Sequence, residues 1–393
     1  MAGPSLDGLV NPDMLIWARK QSHLDVATAA QKINQPPERL AEWENGARVP
    51  TLNQLRLLAD LYKRSVGVFF LDEIPKVARR PVDYRRLELA ADDVMSPTLA
   101  NGIREAEAKR DAALDIYAQM EEQPPRWALT VDRNTPPEQA AATISARLGV
   151  TMATRARWAN HYDALNGWRT AVEALGVIVV QLSRVPMDEM RGCCLALFPL
   201  PVIVLNGADS PLGRVFTMLH ELTHLARAES GLCDLIEDQP RRDVDEAVEV
   251  YCNRVAATIL IPQAELLRLP EVQRAGPNSE WTVDQLRGLS RTYWASRESI
   301  LRRLLDFGKT SRAFYAAMRE RFRQEYQQQR EQAEGFVQPH VRIMLNNGRV
   351  LTRLAVEAYN SQVITGAELS RVLNAKLDHL PKIKSALANE VIA

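Results

Sequence analysis

Two histidines and a glutamate near the middle of the chain are spaced for metal chemistry. His220, Glu221 and His224 form an H-E-x-x-H sequence. Because residues four apart lie on the same face of an α-helix, both imidazoles could reach one divalent ion. Glu221 could then hold a water molecule and take its proton. The pattern predicts a hydrolytic metal site and not a chance pair of surface histidines that flank a glutamate.

The residues around this motif predict a buried helix. Apolar and small residues recur at helical spacing on both of its flanks: Phe216, Leu219, Leu222, Thr223, Leu225 and Ala226. A helix that is apolar on every side is a core element. Histidines inside such a helix need partners, and a shared metal ion would supply one.

A third protein ligand is expected, because a catalytic zinc site usually takes three and leaves the fourth position to water. The next strongly helical segment, 243–261, carries Glu249 and, one turn later, Asn253. We predict that Glu249 is the third ligand and that Asn253 supports the ligands from outside the coordination sphere. Glu246 and Asp245 remain alternative ligands, and a solvated role for Glu246 and Glu249 is also open.

The full motif resembles that of a known peptidase family. It reads Gly213-x-x-Phe216-Thr217-x-x-His220-Glu221-x-x-His224, then Glu249-x-x-Cys252-Asn253-x-x-Ala256, and then Leu260-Ile261-Pro262. This string resembles the ImmA/IrrE-type metallopeptidases. Val255 stands where phenylalanine is usual, and Ile261 where methionine is usual. Both differences exchange one apolar residue for another.

The resemblance implies a fold, a cofactor and a substrate class. The fold would be a gluzincin-like minimal metallopeptidase domain in which His220, His224 and Glu249 bind Zn²⁺ and Glu221 is the catalytic base. The substrate would be a transcriptional repressor, typically itself a helix-turn-helix protein. Its cleavage would control a stress-response, mobile-element or toxin-antitoxin-like operon, and the partner would be a co-encoded repressor or toxin. Whether zinc or another divalent ion is used stays open.

The beginning of the chain is predicted to be a domain of five small helices. Its third helix opens with prolines at Pro36 and Pro37 and closes at Asn45 and Gly46. The string Trp43-Glu44-Asn45-Gly46-x-x-x-Pro50-Thr51-x-x-Gln54-Leu55-x-x-Leu58-Ala59 resembles the repressor-type (XRE, or Cro/CI-like) helix-turn-helix. The resemblance makes the third helix the recognition helix.

The residues of this module do not decide whether it binds DNA or another protein. Four side chains could contact a phosphate or a base edge of operator DNA: Gln35, Arg39, Asn45 and Arg48. The same region carries three carboxylates, those of Glu38, Glu42 and Glu44, and each opposes binding to a groove lined by phosphates. The alternative is a protein-docking or dimerising module that recruits or mimics the substrate. A homodimer is therefore a further candidate assembly.

The predicted fold class is mainly α with a small β-sheet (α+β). β-Branched and apolar runs predict three strands at 176–182, 193–198 and 202–205. The domains are predicted in chain order as follows: 1–73, a helix-turn-helix domain; 74–150, a helical connector; 151–308, the metallopeptidase domain; 309–393, a helical spacer and C-terminal interaction domain. The polar residues of 311–334 predict a solvated helix within the last domain.

Composition limits which functional classes and cellular locations remain possible. The formal net charge is +0, so a nucleic-acid surface could only be a local patch. We expect a cytoplasmic protein that does not enter a membrane, since no run is long and apolar enough to span a bilayer and the start lacks a signal-peptide pattern. The four cysteines are expected to be buried apolar residues: Cys193, Cys194, Cys233 and Cys252. The alternative function is a DNA-binding regulator or antitoxin-like protein whose peptidase fold cuts nothing.

Overall fold

The chain folds into two compact units. The computed structural model describes residues 9–22, 24–62, 64–74, 96–227, 242–332 and 337–389. The described residues up to Glu105 form the first unit, and those from Ala106 onward form the second. The boundary falls inside one long helix, Pro97–Gln119. The predicted division into four domains stays a prediction.

The first unit is a small helical domain. Its elements are α1 Pro12–Gln21, α2 Val26–Lys32, α3 Pro37–Glu44, α4 Leu52–Tyr62 and a 3₁₀ turn Val66–Phe70. Side-chain caps fix where the first two helices begin: Asn11 accepts from the backbone N–H of Asp13, and Asp25 accepts from that of Thr28. Pro37 opens α3, as expected for a residue without an N–H to satisfy.

A partly buried ion pair lies inside this unit. Arg19 of α1 donates two hydrogen bonds to the carboxylate of Glu44 on α3, at 2.7 and 2.8 Å. Leu40, Trp43 and Leu55 form part of the core beside it. Leu52, the first residue of α4, is 36% exposed, whereas Leu55 and Leu58 of the same helix are fully buried.

The second unit is mostly helical around three strands, which confirms the predicted α+β class. After α5 Pro97–Gln119, its elements are α6 Pro137–Leu148, α7 Met152–Arg155, α8 His161–Glu173, β1 Ile178–Leu182, β2 Gly192–Leu195, β3 Val202–Asn206, α9 Pro211–Arg227, α10 Arg242–Leu260, α11 Gln263–Arg268, α12 Pro270–Arg274, α13 Val283–Tyr293, α14 Arg297–Asp306, α15 Arg312–Gln332, α16 Pro339–Asn347, α17 Arg349–Asn360, α18 Gly366–Val372, a 3₁₀ turn Leu377–His379 and α19 Leu380–Asn389. None of the helices in the described part of the chain is long and apolar enough to cross a bilayer.

The sheet has the order β1-β3-β2. β1 runs parallel to β3 with Ile178 opposite Val202, and β2 runs antiparallel to β3 with Cys193 opposite Val204. Every residue of β3 is buried, because it is the central strand and is covered on both faces. β2 ends at Leu195, three residues before the predicted end of the strand.

The helix that carries the H-E-x-x-H motif lies at the centre of this unit. α9 packs against α8, α10, β2 and β3. It is buried on all sides from Arg214 onward, apart from the partly exposed Phe216 and His224. A helix that is surrounded by other elements must be apolar on every side. The burial of α9 was predicted from this pattern.

Helix α15 is less solvated than its composition suggests. The polar sequence predicted a solvated helix, but Met318 and Phe322 are only 8% and 7% exposed and belong to the main core. Arg297 of α14 lies over the Phe322 ring, 4.4 Å from its centroid. The prediction was wrong for this face because two apolar residues four positions apart are enough to dock a helix.

Candidate metal centre

The start of α9 is fixed by capping. The hydroxyl of Ser210 accepts from the backbone N–H of Gly213 at 3.0 Å, and Pro211 occupies the first helical position. Asp209 accepts from the N–H of Ser210 at 2.7 Å. A side chain at position 213 would clash with the carboxylate of Asp209. The cap and the close approach at Gly213 therefore set the rotation of the helix that carries the histidines.

The motif residues are buried, as the helix pattern predicted. His220 is fully buried, Glu221 is 4% exposed, and the side chain of His224 is 9% exposed. This burial excludes the interpretation in which two surface histidines flank a glutamate by chance. Buried imidazoles need polar partners, because leaving them unpaired would cost free energy.

His220, His224 and Glu249 converge on one point between α9 and α10. The Nε2 atoms of the two histidines are 3.0 Å apart. Oε2 of Glu249 lies 3.3 Å from Nε2 of His220, and Oε1 lies 3.2 Å from Nε2 of His224. The three potential ligand atoms lie within 4.8 Å of one another, and among the described residues these three alone form such a group.

This triangle fits a small divalent ion. A tetrahedral zinc ion with ligands about 2.0–2.1 Å away has ligand-to-ligand edges of about 3.3 Å. The two imidazole nitrogens are 3.0 Å apart, and the Glu249 carboxylate places one oxygen 3.2 Å from Nε2 of His224 and its other oxygen 3.3 Å from Nε2 of His220. Two imidazole nitrogens and one carboxylate oxygen are also a common donor set of catalytic zinc sites. Both the spacing and the chemistry of the donors therefore match the predicted Zn²⁺.

Asn253 fixes the orientation of the first histidine. Nδ1 of His220 lies 3.0 Å from Oδ1 of Asn253, one turn after Glu249 on α10. With the amide oxygen as acceptor, Nδ1 is the protonated nitrogen, and Nε2 keeps its lone pair towards the triangle. This is the geometry expected for a residue that supports the ligands without joining them.

The ionisation of Glu249 and His224 reflects their contact. Burial raises the pKa of Glu249, but hydrogen bonds from His220 and His224 outweigh burial and lower that pKa to about 2. Burial lowers the pKa of His224, but hydrogen bonds with Cys252 and Glu249 outweigh it and raise that pKa to about 10. Both shifts reflect the close contact between the Glu249 carboxylate and the imidazoles.

The side chains of the two alternative ligands lie outside the described residues, whereas three of the four cysteines lie within them. The side chains of Glu246 and Asp245 and the whole of Cys233 lie outside the described residues. Cys193 and Cys252 are buried, as predicted for apolar residues. Cys194 differs from that prediction, because it is partly exposed.

The predicted DNA-contacting side chains lie around α3. Gln35 and Arg39 are partly exposed, and Asn45 and Arg48 are exposed. Glu42 pairs with both arginines: its Oε2 lies 3.2 Å from Nε of Arg39 and 3.3 Å from Nε of Arg48. Glu44, which counted against DNA binding, faces the core instead. Residues 9–74 contain eight basic and eight acidic side chains, so this unit has no basic excess to attract DNA.

Two family models match the chain in the predicted order. Residues 15–69 match a helix-turn-helix family. Residues 173–305 match the IrrE N-terminal-like domain of the M78 peptidases. The chain carries an XRE-type helix-turn-helix followed by an IrrE/ImmA-like peptidase domain. Both resemblances drawn from the motifs are thus confirmed. A search of curated protein sequences finds no significant match.

The matched segments contain the structural features described above. The M78 match runs from the end of α8 into α14 and so includes the sheet, α9 and α10. The helix-turn-helix match begins in α1 and ends in the 3₁₀ turn, with α3 in the position of a recognition helix. M78 peptidases are metalloenzymes that typically use zinc, which agrees with the donor triangle in this domain.

Proposed function

We propose that the M78 domain is a zinc-dependent endopeptidase. The observation that carries the proposal is the triangle of His220, His224 and Glu249, which has the spacing of a tetrahedral zinc site and lies beside an intact Glu221. An inactive domain that retained only its fold would have no need of this donor set. Glu221 follows directly after the first ligand on a rigid, buried helix, where a general base belongs in this motif.

The proposed reaction is hydrolysis of a peptide bond. When bound, Zn²⁺ would polarise the peptide carbonyl and make the attacking water more acidic. Glu221 takes the proton of the water as its oxygen bonds to the carbonyl carbon. The C–N bond then breaks, and Glu221 passes the same proton to the leaving amine. Asn253 keeps the lone pair of His220 Nε2 directed at the ion throughout.

The sheet offers a surface for an extended substrate. β2 lies at the edge of the three-stranded sheet and packs against α9. An edge strand can pair with the backbone of a bound peptide, which holds the chain extended without reading its sequence. A peptide in this position would run past the helix that carries Glu221.

The proposed substrate is a helix-turn-helix repressor encoded nearby. The support is the helix-turn-helix within the same chain, where the carboxylates of Glu38 and Glu42 balance the charges of Arg39 and Arg48 around α3. A module of this kind suits docking to a similar protein better than docking to phosphates. Cleavage of the repressor in the cytoplasm would then release a stress-response, mobile-element or toxin-antitoxin-like operon. Homodimerisation through the same module belongs to this proposal.

The decisive experiment is co-expression with repressors encoded beside the gene. The wild-type protein should cut one of them at a single bond, which mass spectrometry would locate. The Glu221→Gln variant should keep its metal and fold, but cleavage should fall by about 10²–10⁴-fold. Cleavage that persists in this variant would show that Glu221 is not the base.

The second candidate is a DNA-binding regulator with a non-proteolytic peptidase fold. The helix-turn-helix match and the exposed Asn45 and Arg48 favour it. It predicts salt-dependent binding to a duplex from the region upstream of the gene, together with zinc retention and no cleavage of any co-expressed repressor. A DNA-binding assay and a cleavage assay therefore separate the two candidates.

A further inference from the structure

The first three helices of the chain have a counterpart near its end. Residues 14–43 and 354–383 can be paired with a constant displacement of 340 positions and no gap. Ten apolar residues of the first segment are buried, and seven of them pair with a buried apolar residue of the second. The seven pairs are Met14 with Leu354, Leu15 with Ala355, Ala18 with Ala358, Leu24 with Ile364, Ala29 with Leu369, Ile33 with Leu373 and Trp43 with Ile383. Such agreement indicates that the two segments pack in the same way.

The turn between the second and third helices is also the same in both segments. Asn34 and Asn374 occupy equivalent positions, and both have a left-handed backbone, with φ of 54° and 47°. In each segment the N–H of the residue after the asparagine donates to the carbonyl four positions before it, at 3.0 Å. Equivalent residues, Asp25 and Thr365, cap the second helix. Residues 349–389, the C-terminal repeat, therefore form another helix-turn-helix.

A contact between the first and third helices recurs with different chemistry. In the first copy Arg19 pairs with Glu44. The equivalent residues of the C-terminal repeat are Tyr359 and Lys384, and Nζ of Lys384 lies 5.6 Å from the centroid of the Tyr359 ring. The same ammonium group donates to Oδ1 of Asn360 at 2.5 Å. The two copies thus bring the same positions together, and Lys384 is directed at α17.

The third helices of the two copies carry opposite charge. Residues 36–44 contain three glutamates and one arginine, whereas the equivalent residues 376–384 contain three lysines and one carboxylate, that of Asp378. Lys382 occupies the position of the partly exposed Glu42. The excess extends beyond this helix, because residues 337–389 contain seven basic and three acidic side chains. The C-terminal repeat therefore has the local positive charge that the first copy lacks.

Helix α19 is anchored on one side and exposed on the other. Ile383 and Leu387 are buried in a cluster with residues of α16 and α17. Lys376, just before the third helix of the repeat, and Lys382 within it are exposed. Over the residues that the structure describes, neither lysine has an ion-pair partner, whereas Glu42 pairs with both arginines of the first copy. Both ammonium groups can therefore contact an anion.

We propose that the C-terminal repeat is a binding site for duplex DNA. Its third helix, which comprises the 3₁₀ turn Leu377–His379 and α19, lies in the major groove, where an α-helix fits. Lys376 and Lys382 contact backbone phosphates and release the counterions bound there. The site is independent of the proposed peptidase, because it includes no residue of α9 or α10. The two helix-turn-helix units then have different partners, a protein for the first and DNA for the second.

The first test measures how salt weakens DNA binding. Fluorescence anisotropy of the full-length protein with a random-sequence DNA duplex, at several salt concentrations, gives the slope of log K against log salt. Lys376→Gln and Lys382→Gln should each make the slope less negative by about 0.9, the contribution of one phosphate contact. A wild-type protein that binds no duplex at low salt would overturn the proposal.

Two further variants locate the bound DNA. Lys384→Gln is the matched control, because it removes the same charge from the same helix on the side that faces α17. Equal changes of slope in Lys382→Gln and Lys384→Gln, at equal Tm, would mean that only net charge matters and would overturn the proposal. Arg48→Gln probes the first copy. A larger change of slope in this variant than in Lys382→Gln would place the DNA on α3 and have the same consequence.

The second test asks whether a helix enters a groove. The major groove of duplex RNA is too deep and narrow for protein side chains to read, whereas that of B-form DNA admits an α-helix. An RNA duplex of the same sequence should therefore bind more weakly than the DNA duplex, and Lys382→Gln should reduce the preference for DNA. Equal affinities of the wild type for the two duplexes would indicate a charged surface without insertion of α19, which would contradict the proposal.

Discussion

Nδ1 of His220 lies 3.0 Å from Oδ1 of Asn253, on the helix turn that follows Glu249. One segment of α10 therefore supplies both the proposed carboxylate ligand and the group that orients a proposed imidazole ligand. Because Glu249 and Asn253 belong to one helical turn, the carboxylate and the amide keep their relative positions. We therefore expect Asn253 to affect metal binding although it lies outside the triangle of proposed ligand atoms.

Asn253→Ala should weaken zinc binding by about 10- to 100-fold, because the His220 ring loses the acceptor that selects its tautomer. The dissociation constant can be measured by competition with a chromophoric chelator. Arg254→Ala is the matched control: it changes the next residue, whose exposed side chain pairs only at the surface with Glu138 at 2.6 Å. Equal affinities for both variants would show that Asn253 does not orient His220.

Glu249→Ala should bind well below one equivalent of zinc, because the triangle loses its only carboxylate. Glu246→Ala tests the alternative ligand one turn earlier and should retain a full equivalent. Metal content can be measured by elemental analysis after gel filtration. Added zinc should raise Tm in the wild type and in Glu246→Ala but not in Glu249→Ala, since only proteins that bind the ion gain stability from it. The reverse pattern would make Glu246 the ligand.

Gly192→Ala should destabilise the protein by about 1–3 kcal/mol, because the added methyl group forces β2 away from α9. Thr217→Ser, added to this variant, removes the clashing methyl group and keeps the hydroxyl. The double variant should therefore recover part of the loss. It should not recover all of it, since the carbonyl oxygen of Val204 still lies 3.0 Å from the new Cβ. Urea unfolding would measure the free energies, and equal stability of all three proteins would contradict the close approach.

The residues of the proposed metal site could be picked out because their spacing is local. His220 and His224 share a helix face, and Glu249 and Asn253 share another, so periodicity alone placed each pair. Periodicity could not show that the two helices meet, and the family resemblance supplied that link. The close approach of β2 to α9 lay beyond both arguments, because it depends on the absence of a side chain at Gly192.

The charges of α3 show a second limit of sequence reasoning. Glu38, Glu42 and Glu44 cannot be told apart in the sequence, and all three were expected to oppose DNA binding. In the structure the buried Glu44 pairs with the partly buried Arg19, while Glu42 pairs with two arginines at the surface. The sequence could not separate these roles, because the partner Arg19 is 25 residues away.

Glu44→Gln should destabilise the helix-turn-helix, because it leaves the partly buried guanidinium of Arg19 without its counter-charge. Breaking a fully buried pair from one side costs about 3–5 kcal/mol, and partial exposure places the expected cost at or below the lower end of that range. Glu42→Gln on the same helix should cost less than about 1 kcal/mol, since both of its pairs are exposed. Amide hydrogen exchange in the full chain would report the loss, with α1 and α3 losing protection only in Glu44→Gln. Similar losses in both variants would show that the Arg19 pair is not a special contact.

Glu42→Gln should also raise the affinity of the full-length protein for duplex DNA, because it releases Arg39 and Arg48 for phosphates. Each added phosphate contact makes the slope of log K against log salt more negative by about 0.9, so two contacts give about 1.8. Fluorescence anisotropy with a duplex from the upstream region would measure it. Glu38→Gln is the charge-matched control, since it removes one negative charge from the same helix at an exposed position. Equal slopes for the two variants would show that Glu42 does not restrain the arginines.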